Sequence, residues 1–377
     1  MGISVSDILG ALESWTPSGM AQSWDNVGLQ VGRPENHVTS ILVALDLTPA
    51  IIDEARASGA NLIITHHPLF FKPLKKLSSD DLVSSMALTL AESGIALGAI
   101  HTNLDAARDG VSFRLAQDLG LTNLDFLTSM AGSVVKLVVF VPLDASDRVR
   151  EAILAAGAGQ IGRYSDCSFS HGGTGTFRPG DDTAPHIGQA GGPRESVNEV
   201  RLEVEVSRWA LPRVLRAMNE NHPYEEVAHD VIPLENDYKE AGLGAIGTLP
   251  SAVPLSDFLD SVSEALANPA LRFAGDENAL IHKVAVCGGS GSDFIGAAMK
   301  AGADAYVTAD VTYHRFFDVM KADGSFSMAL INAGHYETER NTEDVLCHWL
   351  SAHFPDIGVV RTRHRSGPER TWVSRRG

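Results

Sequence analysis

The chain has 377 residues, 44% hydrophobic and 20% charged, which fits a globular protein too long for one compact domain. A formal net charge of -17 excludes a general electrostatic attraction to nucleic acid or to an anionic membrane surface. Cys167, Cys287 and Cys347 lack CxxC spacing, which excludes a disulfide framework and a zinc ribbon and points to a reducing, cytoplasmic setting.

The opening "MGISVSDILGALESW" has no basic leader region and reads as an amphipathic helix with Ile8, Leu9 and Leu12 on one face. No apolar stretch reaches the ~18 residues of a membrane span. From residue 41 strand and helix alternate: "ILVALD", "PAIIDEARASGA", "NLIITHH", "DDLVSSMALTLAESG", "IALGAIHTNLD". Short apolar runs separated by helical segments are the mark of a parallel sheet covered by helices. Next come a strand, "VVKLVVFVPL", and a helix, "DASDRVREAILAAGAG". Residues 158 to 195 are dense in Gly, Ser and Pro and read as loop. "EVRLEVEV" alternates with period two, "ALPRVLRAMNENH" is helical, and "VAHDVIPL" is again strand. The α/β rhythm then returns in "KVAVCGGSG", "FIGAAMKAGA", "DAYVTAD", a helical stretch near "HRFFDVMKAD", and "FSMALINAGHYETE". The basic close, "RTRHRSGPERTWVSRRG", is expected to be a solvated tail.

The two α/β stretches repeat one another. "SGANLIITHH" lies over "AGADAYVTAD", placing Gly59 on Gly302, Ala60 on Ala303 and Thr65 on Thr308. The next strand ends in His-x-x-x-acid in both, His101 with Asp105 and His335 with Glu339. The expected fold is therefore α/β, with two similar halves forming a discontinuous core from residues 1–130 and 241–377. Residues 131–240 form an inserted ferredoxin-like α+β domain.

Ligands of open parallel sheets bind beyond the carboxyl ends of the strands. Here those ends carry Asp46, His66 and His67, His101, Asp310 and His335. Imidazole mixed with carboxylate is the donor set of a first-row divalent metal. If His335 begins a helix, Glu339 lies one turn on and faces the same way. His66 and His67 would point to opposite sides of a regular strand. They can serve two neighbouring cations if the chain turns between them, or they divide labour, and Pro68 favours a turn.

"ITHHPLFFKPLKKL", "HTNLDAARDG", "AYVTADVTYH", "GHYETER" and the early "SWDNVGLQVG" resemble the signature segments of the NIF-three-like family, the GTP cyclohydrolase type 1, type 2 homologues. The insert, with "HPYEEVAHDVIPL", resembles the PII-like or cation-tolerance module of its longer members. The resemblance implies two divalent cations per chain held by His66, His67, Asp105, His335 and Glu339, with Glu339 bridging. It leaves His101 a ligand, an orienting partner of Asp105 or, with Asp310, a catalytic proton shuttle. It implies hydrolytic ring opening of GTP, or action on another nucleotide or phosphoester, and a toroidal homohexamer. Zn, Mn, Fe, Co and Ni all suit the donor set.

Smaller signals accompany these. "CGGSGSDF" follows a strand and precedes a helix, so Gly288, Gly289, Ser290 and Gly291 are candidates to cradle a substrate phosphate, with a tight turn as the alternative. Asp310 and His314 share the i, i+4 spacing and are read as catalytic or supporting groups. His222, Glu225 and Glu226 either bind a cation or form a structured turn. The expected partner is a small molecule, not a membrane or nucleic acid. Two functions follow: a dinuclear metal-dependent hydrolase, or a non-enzymatic metal-handling or scaffold protein.

Overall fold

The computed structural model describes residues 2–236, 238–370 and 372. They divide into two compact units, those within 2–128 and from 241 on, and those within 129–240. In the larger unit α1 (Val5–Trp15) starts at a capping box, Ser4 with Asp7, and buries Val5, Ile8 and Leu12. There follow β1 (Gly28–Val31), β2 (Ser40–Ala44), α2 (Pro49–Ser58), β3 (Leu62–Thr65), α3 (Leu82–Ser93), β4 (Ala96–Ala99), the short α4 (Thr102–Asp105), α5 (Val111–Asp118) and β5 (Thr122–Ser129). Strands β2, β3 and β4 are parallel and buried on both faces. That is why their sequences read as unbroken apolar runs. Each fully buried Ile or Leu of these strands contributes ~1.5–3 kcal/mol by leaving water.

The second unit runs β6 (Val134–Pro142), α6 (Ser146–Ala155), β7 (Phe169–Phe177), β8 (Glu195–Ser207), α7 (Leu211–Asn221) and β9 (His229–Pro233). Its sheet order is β7-β8-β6-β9, all antiparallel. With one helix after β6 and one after β8, this is the ferredoxin-like βαββαβ arrangement. Strand β7 corrects the sequence reading, which assigned loop to residues 158–195. Its exposed, glycine-rich residues carry no hydrophobic period. It is held instead by backbone pairing along β8, from Phe169 opposite Glu203 to Phe177 opposite Glu195.

Returning to the larger unit, the chain forms β10 (Gly242–Pro254), α8 (Leu255–Leu266), β11 (Arg272–Ala274), β12 (Leu280–Val286), α9 (Ile295–Lys300), β13 (Ala305–Thr308), β14 (Ala329–Asn332), α10 (His335–Glu339), α11 (Thr342–His353) and β15 (Gly358–Arg361). One sheet is ordered β1-β4-β3-β2-β15 and the other β11-β14-β13-β12-β10-β5. Strands β12, β13 and β14 are parallel like β2, β3 and β4. The stretch near "HRFFDVMKAD" is a 3-10 segment, Tyr313–Val319, and not an α-helix.

The repeat holds to the level of single atoms. Asn61 Oδ1 accepts from the amides of Thr39 and Ser40 at 2.9 and 3.4 Å. Asp304 Oδ2, at the same place in the other half, accepts from the amides of His282 and Lys283 at 3.0 and 2.8 Å. Gly59 and Gly302 both close their helices at positive φ, 74° and 72°. The basic close also departs from expectation. Arg361 pairs with Glu343 and Asp344, Thr362 bonds Glu54, Arg365 pairs with Glu337, and Ser366 bonds Asp46, so the segment to residue 370 docks on the body. Its last residues, 371 and 373–377, lie outside the described ones.

Candidate metal centre

Strand β3 ends at Thr65, and the next two amides keep the parallel ladder going, His66 N to Ala44 O and His67 N to Leu45 O. Beyond the strand the two side chains are no longer opposed. Their ring centroids lie 5.0 Å apart, and both lie about 5 Å from the His101 ring, at 5.1 and 5.2 Å. His101 caps α4 and brings Asp105 to its end, 3.6 Å from His66 Nε2. In the other half α10 begins at His335, as the spacing predicts, and Glu339 lies on the same face with Oε2 3.1 Å from His335 Nε2.

The two sets meet. His67 Nε2 lies 3.2 Å from Glu339 Oε2 and 3.4 Å from His335 Nε2. Ligand atoms of His66, His67 and His101 form one close group, and those of His67, His335 and Glu339 another, each within 4.8 Å.

Each imidazole has its other nitrogen committed. His66 Nδ1 donates to Ile100 O at 2.8 Å, His67 Nδ1 to Asp46 at 2.7 Å, His101 Nδ1 to Asp25 at 2.8 Å, and His335 Nδ1 to Asp310 at 2.7 Å. A neutral imidazole that donates through Nδ1 presents a lone pair at Nε2. With all four rings neutral, as metal binding requires, four such lone pairs would face one region beside two carboxylates. Carboxylate or carbonyl support behind a ligating histidine is the usual second half of a metal site. His66 Nε2 is buried without a hydrogen-bond partner, and the buried Glu339 Oε2 has only the Nε2 atoms of His67 and His335 beside it, an arrangement that a cation would satisfy. The residues present fit divalent metal.

The electrostatics agree. Burial holds the His66 imidazole down at about 3, so it is a neutral donor at any physiological pH. Burial works the same way on His67 and His335, but there the hydrogen bonds to Asp46 and Asp310 and the nearby Glu339 win. They push the two up to about 10 and about 11. Burial would raise the Glu339 carboxyl, yet the contacts with His335 and His67 keep it well below the usual range. Burial and the Glu339 charge raise Asp105 well above that range. Protons thus neutralise these carboxylates where no cation does, and a bound cation would displace them.

The sequence marks Asp46 only as a strand-end carboxylate and gives no signal for Asp25; the structure sets them behind His67 and His101. Asp25 sits in "SWDNVGLQVG", and its Oδ2 also takes the Thr102 amide at 3.0 Å. Asp46 is anchored in turn by Ser366 of the docked C-terminal segment at 2.9 Å, and the adjacent Leu45 amide donates to Glu343 at 2.9 Å. Asp310, at φ 53°, supports His335. The i, i+4 relation with His314 does not bring that residue in, because residues 310–312 are not helical and His314 lies exposed against the Tyr313 ring.

In the loop from Gly288 to Gly291, the amides of Gly288, Gly289 and Gly291 donate to Ser112, Thr338 and Thr308 at 3.3, 3.0 and 3.0 Å. Three of the four amides offered to a phosphate are therefore engaged within the chain. The glycines serve close approach. A Cβ on Gly289 would stand 2.1 Å from Glu339 Oε1 and 3.2 Å from His335 Nε2. Cys287, pushed up to about 12 by burial and by Asp105, remains a thiol.

Two similar α/β halves that join imidazoles and carboxylates, with a ferredoxin-like insert between them, define an α/β protein suited to bind divalent metal. A family profile described as Duf34/NIF3 (NGG1p interacting factor 3) matches residues 3–368, and the chain belongs to that family. It is 39% identical over 329 residues to the "GTP cyclohydrolase 1 type 2 homolog" of Halalkalibacterium halodurans, covering 87% of each chain. The Bacillus subtilis protein of the same name is 38% identical, with 91% of each covered. The crystal structure of a Bacillus cereus protein related to NIF3 superposes with a TM-score of 0.81 at 37% identity, covering 99% of this chain and 100% of that one. No helix among the described residues is long and apolar enough to cross a membrane.

Proposed function

We propose that the chain is a dinuclear metal-dependent hydrolase acting on a nucleotide, with GTP the first substrate to test. The convergence of the His66, His67, His101 and His335 ring nitrogens with Glu339 and Asp105 carries this reading. One cation would take His67, His335 and Glu339. The other would take His66 and His101, with Asp105 beside them and Glu339 shared between the two. Bound there, the cations would lower the pKa of a water toward ~7 and offset charge developing on the substrate. The chain's own part is orientation: Asp46, Asp25 and Asp310 fix the rings, and Ser366 fixes Asp46. His101 then serves as a ligand, which leaves Asp310 as the candidate to accept a proton. Trp24 and Phe71, 61% and 52% exposed, lie 5.8 and 5.7 Å from the His101 ring and offer faces on which a planar base can stack. The curated relatives' shared name supports a nucleotide as the substrate class.

Metal analysis of the purified protein should find close to two ions per chain. Incubation of the reconstituted protein with GTP should release formate in a metal-dependent way. The depth of His66 and Glu339, 0% and 4% exposed, favours a second reading in which the site stores or delivers metal or serves a scaffold. Two firmly held ions with no turnover of GTP or other nucleotides would select it. We take residues 131–240 as an inserted domain, so their deletion should leave metal binding intact. The toroidal hexamer belongs to the same proposal, and sedimentation of the full chain tests it.

A further inference from the structure

The motif "HPYEE" and the glycine-rich strand β7 have no part in the metal centre. Both line a cavity of about 390 Å³ within residues 129–240, in the size range of small-molecule sites. His222 is spent on structure: it ends α7, its Nε2 lies 3.1 Å from Phe140 O, and its Nδ1 accepts the Tyr224 amide at 3.1 Å. That turn presents Tyr224 to the cavity. Its ring lies 6.0 Å from Phe177 and 6.2 Å from His186, with Phe140 on the same lining.

Within this aromatic box one carboxylate is fixed. Tyr224 donates its hydroxyl to Glu199 Oε1 at 2.9 Å. The other oxygen, Oε2, stands 1.9 Å from where a Cβ on Gly175 would be, so the glycine of β7 makes the room it occupies. Burial and the Glu199 charge raise the Tyr224 hydroxyl well above its ordinary range, so it stays a donor and Glu199 an acceptor. Glu225, tied to the Ala184 amide at 3.1 Å, and Glu226 add two further carboxylates against the lining guanidinium of Arg178, while that of Arg201, 5.9 Å from the Phe140 ring, is paired with Glu203. An anion would meet repulsion here, and a neutral apolar ligand would strip water from the carboxylates without compensation. An organic cation meets both requirements, with its charge beside Glu199 and its body against the rings.

We infer that the cavity among Phe140, Phe177, His186, Tyr224 and Glu199 binds a small organic cation carrying an ammonium or amidinium group on an apolar body. The site is separate in sequence from the metal ligands and does not depend on their assignment.

The test uses the full-length, metal-loaded protein and benzamidine as the probe, with benzoate as its anionic counterpart, followed by saturation-transfer NMR. Benzamidine should bind and benzoate should bind at least tenfold more weakly. Glu199→Gln should weaken benzamidine about tenfold, and Tyr224→Phe, which keeps the ring but frees Glu199, by less. Circular dichroism and metal content should stay at wild-type values in both variants, which separates the site from folding and from the metal centre. Silence with benzamidine, equal binding of benzoate, or unchanged affinity in Glu199→Gln would each overturn the inference.

Discussion

The two halves of the core share a backbone and divide the chemistry. His67 and Asp310 follow equivalent strands, two residues past Thr65 and Thr308, yet one offers a lone pair to the centre and the other holds a partner's ring in place. The first half contributes three imidazoles, of which His66 and His101 are buried at 0% and 8% exposure. The second contributes one partly exposed imidazole and the buried carboxylate of Glu339. Duplication of a βα scaffold thus repeats positions and directions, while substitution at a strand end changes what each position does. Neither half completes the site alone, since His67 has its closest ligand neighbours in the other half.

The sharpest way to break this division is to remove Glu339, the residue we propose the two cations share. Glu339→Gln should cost more affinity than the ~10–100-fold typical of losing an outer partner, and should lower occupancy of both ions by elemental analysis. Wild-type content in that variant would end the shared-ligand assignment. Next come the supporting carboxylates. Asp46→Asn and Asp310→Asn should each weaken metal by ~10–100-fold in a chelator competition. Asp46→Asn should sit at the upper end, because the His67 side chain is 12% exposed and the His335 side chain 34%. The reverse order would mean the second half governs the site.

Acidity separates the individual histidines and crosses the division between the halves. A histidine raised in the folded state stabilises the fold fully below its unfolded pKa, ~6.5, and loses that contribution as pH climbs through the raised value. With His67 at about 10 and His335 at about 11, the metal-free protein should lose Tm steadily above pH ~6.5 up to those values. His66, lowered to about 3, acts in the opposite sense and costs stability as pH falls from ~6.5. His335→Ala should remove the upper part of the alkaline loss, and a flat melting profile from neutral pH to 10 in chelated protein would contradict the ion-pair picture. The smallest effect tests the repeat itself. Gly59→Ala and Gly302→Ala, both at positive φ with open space around a Cβ, should destabilise equally, by ~1 kcal/mol. A difference of several-fold between them in urea melts would show that the halves are not equivalent.

Much of this was legible in the letters, because strand and helix periods are local. Apolar runs marked the parallel strands, the spacing from His335 to Glu339 marked one helical turn, and glycines at matching places marked the repeat. What stayed hidden depends on contacts between distant parts of the chain. Asp25 reaches His101 across 76 residues, and Ser366 reaches Asp46 across 320. Strand β7 exists because β8 offers it a backbone edge, not through any pattern of its own. The glycine loop reads alike as a phosphate cradle or a tight turn until Glu339 is seen filling the space beside it. Residue type and local period chose the candidate ligands; the fold chose which nitrogens and carboxylates meet, because direction and burial arise only when remote segments pack.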